Sequence, residues 1–270
     1  MKSFSGKLAV VTGAAMGMGK MLSSMLLDEG CRVALVDINE ASLDATQKLL
    51  SEKGECSAFV CDISDSTSVY SMADSIRDQM GGVDILINNA GIVIAKPLLD
   101  LNEGEIDKMI QVNLTAQFWL TRAFLPNMIE MNSGHIVNVA SAGGILAIPN
   151  LSAYCASKFG VIGFSDAVRQ EIKRKKLNIG LTVVCPNTVN TGMFTGAKMV
   201  TGTKLLTSEN VCRQIIKGIK GNKPMVAIPS FSVKIITPLM KALLPTRTMD
   251  WLNKVLGMWD ANDQTVGRSA

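Results

Sequence analysis

Along this chain, short apolar runs alternate with segments whose apolar positions return every three or four residues. The runs Leu8–Val11, Arg32–Val36, Ser57–Val60, Val83–Ile87, His135–Val139, Gly180–Val184 and Met225–Ile228 predict strands. The segments between them predict helices. The first carries Met21, Leu22, Met25 and Leu26 on one face and is closed by Gly30. Others span 41–50, 67–80, 103–131 with an interruption near Pro126, 152–176 with apolar Val161, Phe164, Val168 and Ile172, and 208–220. Strands alternating with helices predict an α/β protein whose parallel sheet is covered on both faces. Ligands of such sheets bind beyond the carboxyl ends of the strands. Gly13, Asp37, Asp62, Asn88, Ser141 and Pro186 all fall at those ends.

The first strand, a glycine loop (Gly13, Gly17, Gly19), a helix and the second strand form one continuous unit, with Asp37 at its end. These are the parts of a dinucleotide site in a Rossmann-type, doubly wound sheet. Glycine lets the backbone approach a pyrophosphate, and the amides at the helix start face its charge. Asp37 is placed to accept hydrogen bonds from ribose hydroxyls and to repel a 2′-phosphate.

A third constellation is Ser141, Tyr154 and Lys158. Tyr154 and Lys158 are four apart, so on a helix they rise from one face. An ammonium beside a phenol favours phenolate, and a phenol so tuned can exchange a proton with an alcohol or carbonyl. Ser141 can hold the same substrate oxygen. Asn113 lies within a helical segment, where asparagine is a poor helix former. It reads either as a solvated surface residue or as a local distortion holding a water near Lys158.

Composition narrows the field. With 270 residues and 47% hydrophobic content, the chain can bury a substantial core and is not disordered. A net charge of +4 is too small to argue for nucleic acid. Six scattered cysteines without a C-x-x-C pair fit neither a zinc site nor a disulfide framework, so no metal is expected and a reducing cytoplasm is the simplest compartment. The single histidine, His135, opens a strand and reads as structural. No apolar run reaches the ~18–20 residues of a membrane span, and the opening MKSFSGKLAVV shows no signal peptide.

These residues resemble the short-chain dehydrogenases/reductases over residues 5–230. The matching pieces are TGAAMGMG at 12–19, Asp62 in CDIS, NNAG at 88–91, Asn113, Ser141, YCASK at 154–158 and the Pro186 segment. The resemblance implies a catalytic tetrad of Asn113, Ser141, Tyr154 and Lys158. Tyr154 would be the acid/base, and Ser141 would polarise the substrate oxygen. Lys158 would lower the phenol pKa and bind the nicotinamide ribose, and Asn113 would hold a relay water. The implied cofactor residues are Gly13, Met16, Gly17, Met18, Gly19, Asp37, Ile38, Asp62, Ile63, Asn89, Ala90, Gly91, Tyr154, Lys158, Pro186, Val189 and Thr191. Family members that use NADP usually carry a basic residue at the positions of Met16 or Ile38. Neither residue here can pair with phosphate, so NAD is expected over NADP. Asn187 replaces a glycine that the family often has. The wording PNTVNTGMF at 186–194 and the apolar carboxyl-terminal extension are similar to the branch with retinol and lipid-associated hydroxysteroid dehydrogenases. The expected substrate is a hydrophobic alcohol or carbonyl compound. The rival readings are an acyl-carrier-protein ketoreductase and a nucleotide sensor without turnover.

Two segments bear on specificity and partners. Residues 187–206, with Met193, Phe194, Met199, Leu205 and Leu206, read either as a lid over a hydrophobic substrate or as ordinary packing against the sheet. Residues 231–270 read as a helical extension of the domain formed by 1–230. There Thr237 and Pro238 predict an N-cap and first helical position, Pro245 ends that helix, and a second runs from Met249 to Leu256 with Gly257 as its cap. The extension covers the pocket or a second subunit, or lies on a membrane. Residues 262–270 read as a loose polar tail. A homodimer or homotetramer is expected, joined through the helices near 103–131 and 152–176, where Ala153, Ala156, Gly160 and Gly163 permit close approach.

Overall fold

The computed structural model describes residues 3–265 and Gly267. Seven strands form one sheet: β1 (Leu8–Thr12), β2 (Arg32–Asp37), β3 (Cys56–Val60), β4 (Ile85–Asn88), β5 (Gly134–Val139), β6 (Ile179–Pro186) and β7 (Met225–Ile228). Their order is β3-β2-β1-β4-β5-β6-β7 and every pairing is parallel. The fold expected from the alternation is the fold observed. The order reverses between β1 and β4, and this switch point opens a crevice at the carboxyl ends.

Strand residues feed the two faces in alternation. Leu8, Val10, Ala34, Val36, Leu86 and Ile136 pack towards α3 (Ser66–Met80), α5 (Ala116–Glu130) and α6 (Ser152–Arg174), meeting Ile76, Phe124 and Ile172. Ala9, Val11, Val33, Leu35, Ile85 and Ile87 pack towards α1 (Gly17–Asp28), α2 (Glu40–Leu50) and α7 (Ser208–Lys220), meeting Leu22, Leu43 and Ile215. Side chains start several helices. Asn39 caps α2, Asp65 caps α3 and Thr207 caps α7. Asn102 and Glu105 form a reciprocal capping box on α4 (Glu103–Ile110).

The helix expected over 103–131 breaks elsewhere than at Pro126. A π-turn at Gln111–Thr115 separates α4 from α5, and α5 runs through Pro126. The turn exists because Asn113 faces inward and is fully buried. Its Oδ1 accepts from Ile92 N (2.8 Å), and its Nδ2 donates to Ile92 O (2.9 Å) and Ser157 Oγ (3.2 Å). The surface reading of Asn113 is therefore excluded.

Thr237 is not an N-cap. The helical segment begins at residue 230 and passes a π-turn at Ser232–Ile236 into α8 (Thr237–Leu243), with Thr237 already in helical geometry. The wider turn accommodates Pro238, which has no N–H to donate. Helix α9 starts at Thr246, before Met249, and ends at Val255; Gly257 closes the turn at φ +76°. The tail is not loose over its described residues. Asn262 and Thr265 are buried, and Asn150 Nδ2 donates to Asp263 Oδ1 at 3.0 Å. Residues 266 and 268–270 lie outside the described residues.

Candidate active site

The carboxyl ends of the strands line a cleft of about 450 Å3 that runs from Asp37 to Phe194. Its amino-terminal end is built from main chain. Gly13 and Gly17 have φ of +67° and +55°, which glycine adopts without strain. A Cβ on Gly19 would overlap the Gly13 carbonyl oxygen, so the loop closes only with glycine there. Helix α1 starts at Gly17 without a side-chain cap, with its first turn on the cleft. A glycine cradle opening a helix fits a pyrophosphate.

Asp37 ends β2. Its Oδ2 accepts from Ala15 N (3.0 Å) and its Oδ1 from Asn39 N (3.1 Å), so the carboxylate both holds the loop and lines the cleft. Ile38 beside it is half exposed. Asp62 accepts from Ser64 N and Oγ, and with Ile63 it forms the opposite wall. Asn89, Ala90 and Gly91 follow β4. Thr12 Oγ1 accepts from both Asn89 N (3.0 Å) and Ala90 N (3.1 Å), tying β1 to β4 at the switch point. Sequence reasoning passed over Thr12, although it opens the TGAAMGMG motif.

Ser141, Tyr154 and Lys158 come together at the middle of the cleft. Ser141 leaves β5, and its Oγ accepts from Gly143 N at 3.0 Å. Tyr154 and Lys158 rise from the first turns of α6 and are both buried. Lys158 Nζ donates to Val139 O at 3.0 Å and stands 5.7 Å from the Tyr154 ring centre. Burial holds the Lys158 ammonium down at about 8 and pushes the Tyr154 phenol up to about 12, while the Ser141 hydroxyl lowers it. The activated phenol expected from the sequence is thus opposed by desolvation. Desolvation dominates because burying the charged form of each group outweighs what its polar neighbours return.

Asn113 stands beside this group. A Cβ on Gly91 would come within 3.0 Å of Asn113 Oδ1 and 3.5 Å of Lys158 Nζ. Both Asn113 Nδ2 hydrogens are engaged by protein, and Oδ1 accepts one bond, from Ile92 N. Pro186, Val189 and Thr191 line the cleft after β6. Thr191 lies against Gly17, where a Cβ would meet its side chain at 3.6 Å. Beyond it, Phe194 stands edge-on to Tyr154, ring centres 5.7 Å apart. The same wall includes Ile92, Lys108 and Val112, which were not anticipated. Val112 precedes Asn113 and Lys108 lies one turn earlier, so the inward orientation of Asn113 would have located them.

The short chain dehydrogenase family model matches residues 7–199. Epidermal retinol dehydrogenase 2 of Mus musculus is 35% identical over 99% of this chain and 87% of its own length. Estradiol 17-beta-dehydrogenase 11 of Homo sapiens is 35% identical over 95% of this chain and 85% of its own. A short chain dehydrogenase/reductase from Burkholderia phymatum, solved in complex with NAD, superposes with a TM-score of 0.80, at 24% identity over 94% of this chain and 97% of its own. Levodione reductase gives 0.78 at 24% identity, covering 86% of this chain and 99% of its own.

Proposed function

The chain belongs to the short-chain dehydrogenase family and is an oxidoreductase, and we propose that it interconverts a hydrophobic alcohol and its carbonyl compound with NAD. The observation that carries this reading is that Ser141, Tyr154 and Lys158 open onto one cleft with the glycine cradle and Asp37. A retinoid-, steroid- or fatty-alcohol-like substrate is favoured by the apolar wall of Met193 and Phe194 and by the names of the relatives. We read residues 1–230 as the catalytic domain and 231–270 as its extension.

Gly13, Gly17 and Gly19 admit the pyrophosphate, with Met16 and Met18 beside them. Asp37 and Ile38 meet the adenosine ribose, Asp62 and Ile63 the adenine, and Asn89 to Gly91 flank the dinucleotide. Pro186, Val189 and Thr191 close its nicotinamide end. A nicotinamide bound there supplies or accepts the hydride. In reduction, Tyr154 Oη gives its proton to the carbonyl oxygen while Ser141 Oγ donates a hydrogen bond to the same atom. In oxidation Tyr154 takes that proton back. Lys158, charged below about pH 8, favours the phenolate and holds the ribose. Asn113 acts as a positioning residue: it fixes the Ile92 backbone and, through Ser157, the turn that carries Tyr154.

Asp37 repels a 2′-phosphate and neither Met16 nor Ile38 compensates. NAD should be preferred in kcat/KM by at least ~tenfold, or ~1.4 kcal/mol. Asp37→Ala with Ile38→Arg should shift preference towards NADP. Steady-state rates with both cofactors against secondary alcohols, retinoids, steroids and fatty alcohols test the assignment. Higher kcat/KM with NADP would favour the ketoreductase reading, and binding without turnover across the panel would favour a sensor.

We also propose a homo-oligomer. Phe118 is exposed on α5, and Ala156, Phe159 and Gly163 are exposed on α6. Ala153 and Gly160 do not belong to that surface: Ala153 is buried, and Gly160 is packed against Leu114 of the same chain. Sedimentation showing only monomer at micromolar concentration would refute the assembly.

A further inference from the structure

We propose that the face formed by α8, α9 and the adjoining lid docks on an anionic phospholipid surface. The proposal is independent of the reaction, since the side chains it rests on are not among those that line the catalytic cleft.

The first observation is where apolar surface is left uncovered. Eight of the twenty large apolar side chains exposed among the described residues fall within 231–259: Phe231, Ile235, Ile236, Leu239, Leu243, Trp251, Val255 and Trp259. Phe231, Ile235, Leu239 and Leu243 are spaced by four along the π-turn and α8, and Trp251 and Val255 repeat that spacing on α9. Only Val233 and Met249 of these helical segments are buried. Lys241 anchors the unit to the body, donating to Ile145 O (3.1 Å) and standing over the Phe159 ring. The lid adjoins the end of α9: Thr201 N donates to Leu256 O, and Met199 and Leu205 of the lid are exposed.

The second observation is charge. Residues 187–206 and 230–256 carry six bases (Lys198, Lys204, Lys234, Lys241, Arg247, Lys254) and one acid (Asp250), a net +5. The rest of the chain, with 21 bases and 22 acids, stands at −1. The net positive charge of the protein is on these two segments, which also leave apolar side chains uncovered. Asp260 and Asp263 follow α9, and Asp263 is turned to Asn150.

Charge selects the occupant. A second copy bound face to face would bring two such cationic surfaces together and desolvate both, which opposes association. Anionic headgroups complement it. Trp251 and Trp259 have an apolar body and a polar N–H suited to the boundary between acyl chains and headgroups. The Lys254 ammonium lies over the Trp259 ring, 5.4 Å from its centre. No helix of the described residues is long and apolar enough to cross a membrane, so the mode is contact with one leaflet.

Flotation of the full chain with phosphatidylcholine vesicles, with and without phosphatidylserine, decides the matter. Binding is expected only or mainly to the serine-containing vesicles, and it should weaken with added salt. Leu239→Glu with Trp251→Glu should bind at least ~tenfold less, and Lys234→Glu with Lys254→Glu should lose the preference for anionic vesicles. Circular dichroism and turnover of a short water-soluble alcohol identify any variant that has merely unfolded; Lys234→Gln, a milder change, then replaces it. Absence of binding to anionic vesicles would overturn the proposal. So would a Leu239→Glu, Trp251→Glu variant that floats like wild type. If that variant instead sediments as a smaller assembly in lipid-free buffer, the face is a subunit contact and the proposal fails.

Discussion

The two ends of the cleft are made of different material. At the Asp37 end the glycine loop is fixed through main chain, with Gly19 against the Gly13 carbonyl, the Asn89 and Ala90 amides on Thr12 and the Ala15 amide on Asp37, and the side chains of Asp37, Ile38, Asp62 and Ile63 line the cleft beside it. At the substrate end the walls are side chains, Met193 and Phe194, brought by a segment without regular elements. Its glycines differ in kind too. Gly192 and Gly202 have positive φ but face open space, whereas Gly19 has no room for a Cβ. On the proposed reading, the loop that meets the cofactor's pyrophosphate is backbone that cannot adjust. A surface that sets substrate choice is built from side chains that can change without disturbing the sheet.

The comparison can be broken first where packing is tightest. Gly19→Ala should weaken NAD binding roughly ten- to hundredfold, since overpacking costs ~1–3 kcal/mol. Gly202→Ala, a strained but open position, should leave it unchanged. Fluorescence titration of both variants checks the contrast, and equal affinities would remove it. Asn113→Ala tests the seam between the two ends. It strips the partners from both Ile92 backbone groups, costing about 3 kcal/mol and lowering Tm by roughly 6–12 °C. Calorimetry showing an unchanged Tm would mean that water replaces the amide.

A smaller effect is confined to the sheet. His135 is buried with Nε2 at 2.8 Å from Thr182 Oγ1, and burial pushes it down to about 3 from the usual 6.5. Between those values the unfolded chain binds a proton that the folded chain refuses. Stability is therefore fully present above pH 6.5 and falls as pH drops towards 3, by up to ~1.4 kcal/mol per unit. His135→Asn should flatten urea-derived stability between about pH 6.5 and 5; an unchanged slope would assign the loss to carboxylates. The smallest effect belongs to the lid. Gly196 has φ +87°, and a Cβ there would overlap the Gln264 carbonyl of the tail. Gly196→Ala should loosen that contact by ~1 kcal/mol, raising KM for a hydrophobic substrate several-fold with NAD affinity untouched. A change in NAD affinity instead would show that the lid also serves the cofactor.

What could be read from the sequence follows the same division. The parallel sheet, the glycine cradle and the Tyr154–Lys158 pair were legible because each depends on local pattern: strand and helix periodicity, a φ only glycine tolerates, a four-residue helical spacing. The role of Asn113 in shaping a π-turn was not, because it depends on Ile92, 21 residues away. Nor was the continuous helix at Pro126, nor the docking of Asn262 and Thr265 against the body. Polar tail residues carry no periodic signal, and their partner Asn150 is 113 residues distant from Asp263. Lys108 was missed for a related reason: an exposed lysine on an amphipathic helix gives no sign that a cleft lies beside it.

The central claim is that Tyr154 moves the proton while the rest of the cleft binds. Tyr154→Phe keeps the ring against Phe194 and deletes only the phenolic oxygen. NAD affinity by fluorescence titration and turnover of the best alcohol should be measured on the same preparation. The account predicts unchanged NAD affinity with turnover reduced by roughly 10²–10⁴. Turnover within tenfold of wild type, with NAD still bound, would contradict it.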